Sequence, residues 1–124
     1  MLDGSSNSIP VYTDGNNTYN LHYVVESYIN GTNWYRLYND GWLEQGGYID
    51  NNPDYTWVTF LKEFANTNYT VQATAKQNSG FTPTAWIIDT GQTTGINIAA
   101  QRWTNASYTS QVASFYWEAR GYAA

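Results

Sequence analysis

Beyond residue 20, polar and apolar positions alternate with a period of two along most of the chain. In "YTVQATAK", Tyr69, Val71, Ala73 and Ala75 fall on one side and Thr70, Gln72, Thr74 and Lys76 on the other. Successive strand side chains point to opposite faces, so this pattern predicts a half-buried strand. "TGINIAA" groups Ile96, Ile98 and Ala100. "ASFYWEARGY" sets Ala113, Phe115, Trp117 and Ala119 inward against Ser114, Tyr116, Glu118 and Arg120 outward. "TWVTFL" and "TAWIID" read as further strands, and the turn formers "NNPD", "ANTN", "QNSGFTP" and "DTGQTTG" separate them. The best helical candidate, "FLKEFA", is too short to hold alone. Many short, evenly spaced strands predict an all-β, antiparallel sandwich or barrel over residues 21–124, without internal repeats.

Residues 1–20, "MLDGSSNSIPVYTDGNNTYN", break the pattern. Small polar residues and glycine supply little apolar surface to order them, so a flexible linker is expected, with only "IPVY" able to form a short strand. The natural chain is expected to continue upstream of it.

The segment "HYVVESYINGTNWYRLYNDGWLEQGG" predicts two hairpins in series. Asn30–Gly31 is a strong hairpin turn between the first two strands. Between the second and third, a three-residue loop Asn39–Asp40–Gly41, with Gly41 left-handed, sets Tyr38 opposite Trp42, Leu37 opposite Leu43 and Arg36 opposite Glu44. A two-residue loop would oppose Leu37 to Glu44, a poorer match. Arg36 and Glu44 are therefore expected to form a cross-strand ion pair shielded by Trp34, Tyr38 and Trp42. A carboxylate held by arginine makes a poor general acid, so the pair reads as structural. Gly46–Gly47 would permit a sharp turn or a close approach by another backbone.

Composition narrows the function. The 124 residues suffice for one domain with its own core. Cysteine is absent and His22 is the sole histidine, which excludes disulfide frameworks and Cys- or His-cluster metal sites; no cofactor is implied. A net charge of −5, with only five Lys and Arg, leaves no positive stripe for a nucleic-acid backbone. No apolar run approaches the about 20 residues of a membrane helix, and no signal peptide opens the chain. Only 12% of residues are charged while 18% are aromatic. Neutral hydrogen-bonding groups beside aromatic faces suit sugars and wet interfaces, and equally suit an ordinary β-sheet protein.

"YVVESYINGTNWYRLYNDGWLEQGG" resembles a signature near the end of phage and prophage tail-fibre proteins, in which a Val-Val-Glu strand, an Asn-Gly turn, a Trp-Tyr-Arg strand, a Gly-Trp turn and a Glu-Gln-Gly-Gly segment follow in that order. "VTFLKEFANTNYTVQATA" and the closing "FYWEARGYAA" are similar to later parts of the same domain, so the resemblance runs from Tyr23 to Ala124. It implies an H-type-lectin-like β-sandwich, a homotrimer at the distal tip of a virion's tail fibre, and binding to a bacterial surface receptor, often a glycan. In H-type lectins a Trp in the loop before the last strand helps to hold the sugar. The matching segment is "QRWTNASYTSQ", where Arg102, Trp103, Asn105 and Tyr108 offer a charged fork, stacking faces and an amide. Trp103 packed against a neighbouring subunit is the alternative. Trp86 is expected in the core or an interface. His22 is expected to be solvated or hydrogen-bonded, although a threefold axis would turn one histidine into three metal ligands.

Three rivals remain. A purely structural trimer-closing cap is nearly indistinguishable by sequence. A polysaccharide hydrolase needs two carboxylates about 5–10 Å apart beside a cleft. Glu44 and Glu118 have arginine neighbours, which leaves Asp50 and Asp54 as the loose pair. The last rival is a monomeric carbohydrate-binding module. Loops at 77–83, 90–94 and 101–111 are the expected recognition elements, because loops on a rigid sheet commonly carry binding residues.

Overall fold

The computed structural model describes residues 11–15, 17–50, 55–76, 82–104 and 107–124. The chain is all-β, with no helix among the described residues. Its strands are β1 (Val11–Asp14), β2 (Asn17–Asn20), β3 (Val24–Asn30), β4 (Asn33–Tyr38), β5 (Trp42–Ile49), β6 (Tyr55–Thr59), β7 (Thr70–Lys76), β8 (Thr82–Gln92), β9 (Gly95–Thr104), β10 (Ser107–Val112) and β11 (Ser114–Tyr122).

Two antiparallel sheets form a sandwich. One has five strands in the order β3-β4-β5-β11-β7. In the other, β8 runs along one edge of β9, while β6 and β10 lie end to end along the opposite edge, pairing with residues 95–99 and 101–104 respectively. β11, the last strand, enters between β5 and β7 and pairs with both along its length.

The alternation in β7, β9 and β11 sorts as the period predicts. Phe115, Trp117 and Ala119 of the first sheet are buried, as are Val58, Ile96, Ile98 and Ala100 of the second. Each large apolar side chain so buried contributes about 1.5–3 kcal/mol. Ser114 departs from its outward assignment: it is 1% exposed and donates to Asp50 Oδ1 at 2.7 Å. Phe60 and Phe64, in the crossover between β6 and β7, close one end of the core, with ring centroids 5.1 Å apart. Tyr69 stacks on Phe64 at 4.7 Å, and its hydroxyl donates to the Gln92 carbonyl at 2.7 Å, tying the edge of the first sheet to the β8–β9 turn.

The hairpin register is the one expected. Leu37 opposes Leu43, Arg36 opposes Glu44, and the loop holds Asn39, Asp40 and a Gly41 at φ +91°. At the preceding turn Asn30 pairs with Asn33, so Gly31 and Thr32 form the loop.

Three expectations change. Within the expected linker, β1 and β2 pair as an antiparallel hairpin around a left-handed Gly15, because Asp14–Gly15 turn chemistry needs no core to reverse the chain. Gly46 and Gly47 make no turn: they sit inside β5, Gly46 between Trp34 and Glu118 and Gly47 opposite Trp117, and the close backbone approach is the alternative that holds, a Gly46 Cβ lying 2.6 Å from the Trp117 carbonyl oxygen. Of the expected loops, residues 82–83 and 90–92 belong to β8, 101–104 to β9 and 107–111 to β10, since pairing to β9 extends both hairpins further than their polar residues suggest.

Candidate ligand-binding site

The outward face of the five-stranded sheet is set by register. Arg36, Glu44 and Arg120 lie in one row across β4, β5 and β11; Trp34, Gly46, Glu118 and Gln72 form the next row across β4, β5, β11 and β7; Tyr48, Tyr116 and Thr74 form the third. Gly46 interrupts this surface. A Cβ there would lie 3.0 Å from Trp34 Cζ2, 3.1 Å from Glu118 Cγ and 2.6 Å from the Trp117 carbonyl oxygen. Trp34 and Glu118 fill the space a Gly46 side chain would take, and beside them lies a groove of about 280 Å³ lined by Trp34, Gly47, Gln72, Thr74, Tyr116, Trp117 and Glu118.

The charges around it are arranged differently from the expected pair. Glu44 binds Arg120, not Arg36: Arg120 Nε lies 3.2 Å from Glu44 Oε2, and its Nη2 lies 3.3 Å from Glu118 Oε2. Register places an arginine on each side of Glu44, and the one from β11 takes it. Arg36 instead lies over the Trp34 ring, 5.1 Å from its centroid. Tyr38 also contacts Glu44, and that hydrogen bond raises the phenol pKa above its ordinary value. Trp42 meets Tyr122 edge-on at 5.2 Å. Tyr38 is covered by His22, whose ring lies 4.1 Å away and nearly parallel, with Nε2 3.3 Å from Asp40 Oδ1. At the other end of the groove Tyr116 leans on Tyr48 at 4.8 Å, and Lys76 Nζ sits 5.3 Å above the Tyr48 ring.

Chemically, the groove offers two aromatic side walls, an amide, a hydroxyl and a carboxylate. That set can cover the C–H faces of a sugar ring and exchange hydrogen bonds with its hydroxyls. Glu118 and Glu44 share one guanidinium, an arrangement that neutralises charge rather than one that delivers a proton. Asp50 accepts hydrogen bonds from Ser114 and Tyr48, and Asp54 lies outside the described residues.

The expected sugar residues fall on the second sheet or outside the described residues. Arg102 and Trp103 are on β9, opposite Pro83 and Thr82 of β8, and Tyr108 is on β10; Asn105 and the side chains of the other three lie outside the described residues. Of the hairpin residues, Trp34 lines the groove, Arg36 and Glu44 border it, and Tyr38, Gly41 and Trp42 build the end of the sheet beyond. Gln72, Thr74, Tyr116 and Glu118 were legible as outward positions but not as a site. The signal that points to them is a glycine inside a strand, which marks close approach.

One further surface is exposed. β3 is the edge strand, and Val24, Val25, Tyr28 and Ile29 are all exposed, Ile29 to 74%. A scan against protein-family models and searches of curated proteins and of solved structures return no match to this chain.

Proposed function

We propose that this chain is the receptor-binding tip domain of a phage tail fibre, a homotrimer with a sandwich akin to the H-type lectins, and that it holds a bacterial surface glycan in the groove beside Gly46. The observation that carries the glycan reading is the groove itself: Trp34 and Tyr116 line it together with the polar groups of Gln72, Thr74 and Glu118. The tail-fibre reading rests on the Tyr23–Gly47 signature and on the similarity of "FYWEARGYAA" to a later part of the same domain. Labelled domain is tested against a panel of bacterial surface polysaccharides and whole strains. Binding that is lost in a folded Trp34→Ala variant and kept in Trp103→Ala supports the groove; the reverse pattern moves the site to β9.

A structural cap without receptor contact is the second reading, favoured by the exposed apolar edge strand β3. Ile29→Lys would then dissociate the trimer in a sedimentation measurement, and the wild-type chain would bind no polysaccharide.

A further inference from the structure

The outer face of the second sheet carries a different arrangement. Around the central β9, register sets Tyr55, Ala99 and Trp86 in one row and Trp57, Asn97 and Ile88 in the next. Tyr55, Trp57 and Trp86 are 62%, 41% and 40% exposed. Ala99 points the same way yet is 2% exposed, so larger neighbours cover it. Trp86 is thus neither core nor lost in the sandwich; it stands on the outside.

Gly95 explains how Trp57 is held. A Cβ at Gly95 would lie 2.5 Å from Cζ2 and 2.7 Å from Cε2 of Trp57. Cε2 is a ring-fusion carbon, so the face of the indole, not its rim, rests on the glycine. Gly95 has no left-handed backbone to justify it; a Cβ there would also lie 2.6 Å from the Val58 carbonyl oxygen, so the glycine admits both the ring and the neighbouring backbone. A ring seated on one face presents the other to solvent. The described residues of this surface are also uncharged: β6, residues 83–88 of β8 and residues 95–101 of β9 contain no Asp, Glu, Lys or Arg.

The geometry points to a second ligand platform here, one that stacks a neutral oligosaccharide on Trp57 and Trp86 with the Asn97 amide between them. β6 and β8 flank β9 two strand spacings apart, about 9–10 Å, and Trp57 and Trp86 are offset by two residues along it, about 7 Å, so their Cα atoms stand roughly 12 Å apart. That separation exceeds one sugar ring and selects an oligosaccharide over a monosaccharide. Flat apolar sugar faces match flat indoles, and amides and hydroxyls take the ring substituents. An anionic ligand finds no described counter-charge on this face. A protein partner would need relief to interdigitate with, whereas the Gly95 seat holds Trp57 flat. The platform lies on the sheet opposite the groove beside Gly46 and stands or falls independently of it.

The test titrates the full chain with cello-, malto- and chito-oligosaccharides, with oligogalacturonate as the acidic control, following the Trp57 and Trp86 indole N–H signals by NMR. At least one neutral series is expected to shift both signals. Its affinity should fall about tenfold or more in Trp57→Ala and in Trp86→Ala and fall less in Trp57→Phe. Gly95→Ala, whose Cβ presses on the indole and on the Val58 carbonyl oxygen, should weaken binding without removing a ring in a variant shown to be folded. The proposal is overturned if no neutral series moves either indole in the wild-type chain, if oligogalacturonate binds as tightly, or if the Trp57 and Trp86 variants bind as well as wild type. It is equally overturned if Trp57→Ala changes the oligomeric state instead, because the face is then a contact between copies.

Discussion

Gln45 is 0% exposed, in a strand otherwise lined inward by apolar groups and glycine. Its Nε2 donates to the Lys62 carbonyl at 2.7 Å, and its Oε1 accepts from the Lys62 N–H at 3.2 Å. One side chain thereby supplies the donor and acceptor that a neighbouring strand would offer, and it pins the crossover that carries Phe60 and Phe64 into the core. Gln45→Met keeps length and volume but removes both bonds. Two hydrogen bonds at a net of about 0.5–1.5 kcal/mol each total about 1–3 kcal/mol. Leaving the Lys62 groups partly unpaired adds to that, moderated because Lys62 itself is only half-buried and water reaches part of it. A loss of about 2–3 kcal/mol follows, or a Tm lowered by roughly 10 °C for a chain of this size. Urea and thermal unfolding followed by tryptophan fluorescence read the change, with Gln72→Met on the exposed face as a control expected within about 0.5 kcal/mol. Amide exchange at Lys62 should quicken in the Gln45 variant. A Gln45→Met protein as stable as wild type, with Lys62 still protected, would refute the reasoning.

Around the edge strand, pH should matter in two directions. The Tyr35 hydrogen bond and then the Lys62 charge hold the Glu26 carboxyl below its ordinary value, while Glu26 holds the Tyr35 phenol above its own. A depressed acid contributes fully above its unfolded pKa and loses that contribution as pH falls through the folded value; a raised phenol contributes fully below its unfolded pKa and loses it as pH rises through the folded value. Glu26→Gln should therefore flatten both the acid and the alkaline limbs of the urea midpoint against pH. At Gly121, a Cβ would lie 2.9 Å from Tyr69 Cβ and 3.1 Å from its Cα, so Gly121→Ala should cost about 1–3 kcal/mol in denaturant titration. Arg120→Gln strips Glu44 and Glu118 of their shared partner; because the guanidinium is half exposed, stability should fall by under about 1 kcal/mol and the loss should shrink in high salt.

How much of this was legible in the sequence depends on range. The Asn39–Asp40–Gly41 register was legible because chemical matching across a short loop is local information. The inward and outward sorting of β7 and β11 was legible because the period is a property of each strand alone. The partner of Glu44 was not: β5 acquires β11 as its second neighbour from the far end of the chain, and nothing within the hairpin shows that Arg120 will arrive in register. The bonds of Gln45 to Lys62 were hidden for the same reason. The 101–111 segment was read as loop from its Thr, Asn and Ser content, yet pairing along β9 extends strand character through residue 104 and resumes it at 107. Polar residues on an outer strand face look like loop residues until the partner strand is known.

The glycines carry the clearest long-range message. Gly31 and Gly41 have positive φ and serve their turns. Gly46 and Gly95 have neither excuse. Glycine in a strand costs stability relative to alanine through the entropy of the unfolded chain, roughly 0.5–1 kcal/mol. An alanine would be favoured at both positions unless its Cβ had nowhere to go. At each, part of the obstruction is an indole: Trp34 over Gly46 and Trp57 over Gly95, on opposite outer faces of the sandwich. An indole laid over a strand glycine buries apolar surface of both, so packing is one explanation of these rings and ligand binding the other. Gly46→Ala and Gly95→Ala therefore separate two explanations. If the rings are only cladding, each variant shifts its indole slightly and neither changes binding. If the rings are ligand surfaces, each variant weakens the ligand of its own face and leaves the other face untouched, a crossed pattern that a general loss of stability cannot produce.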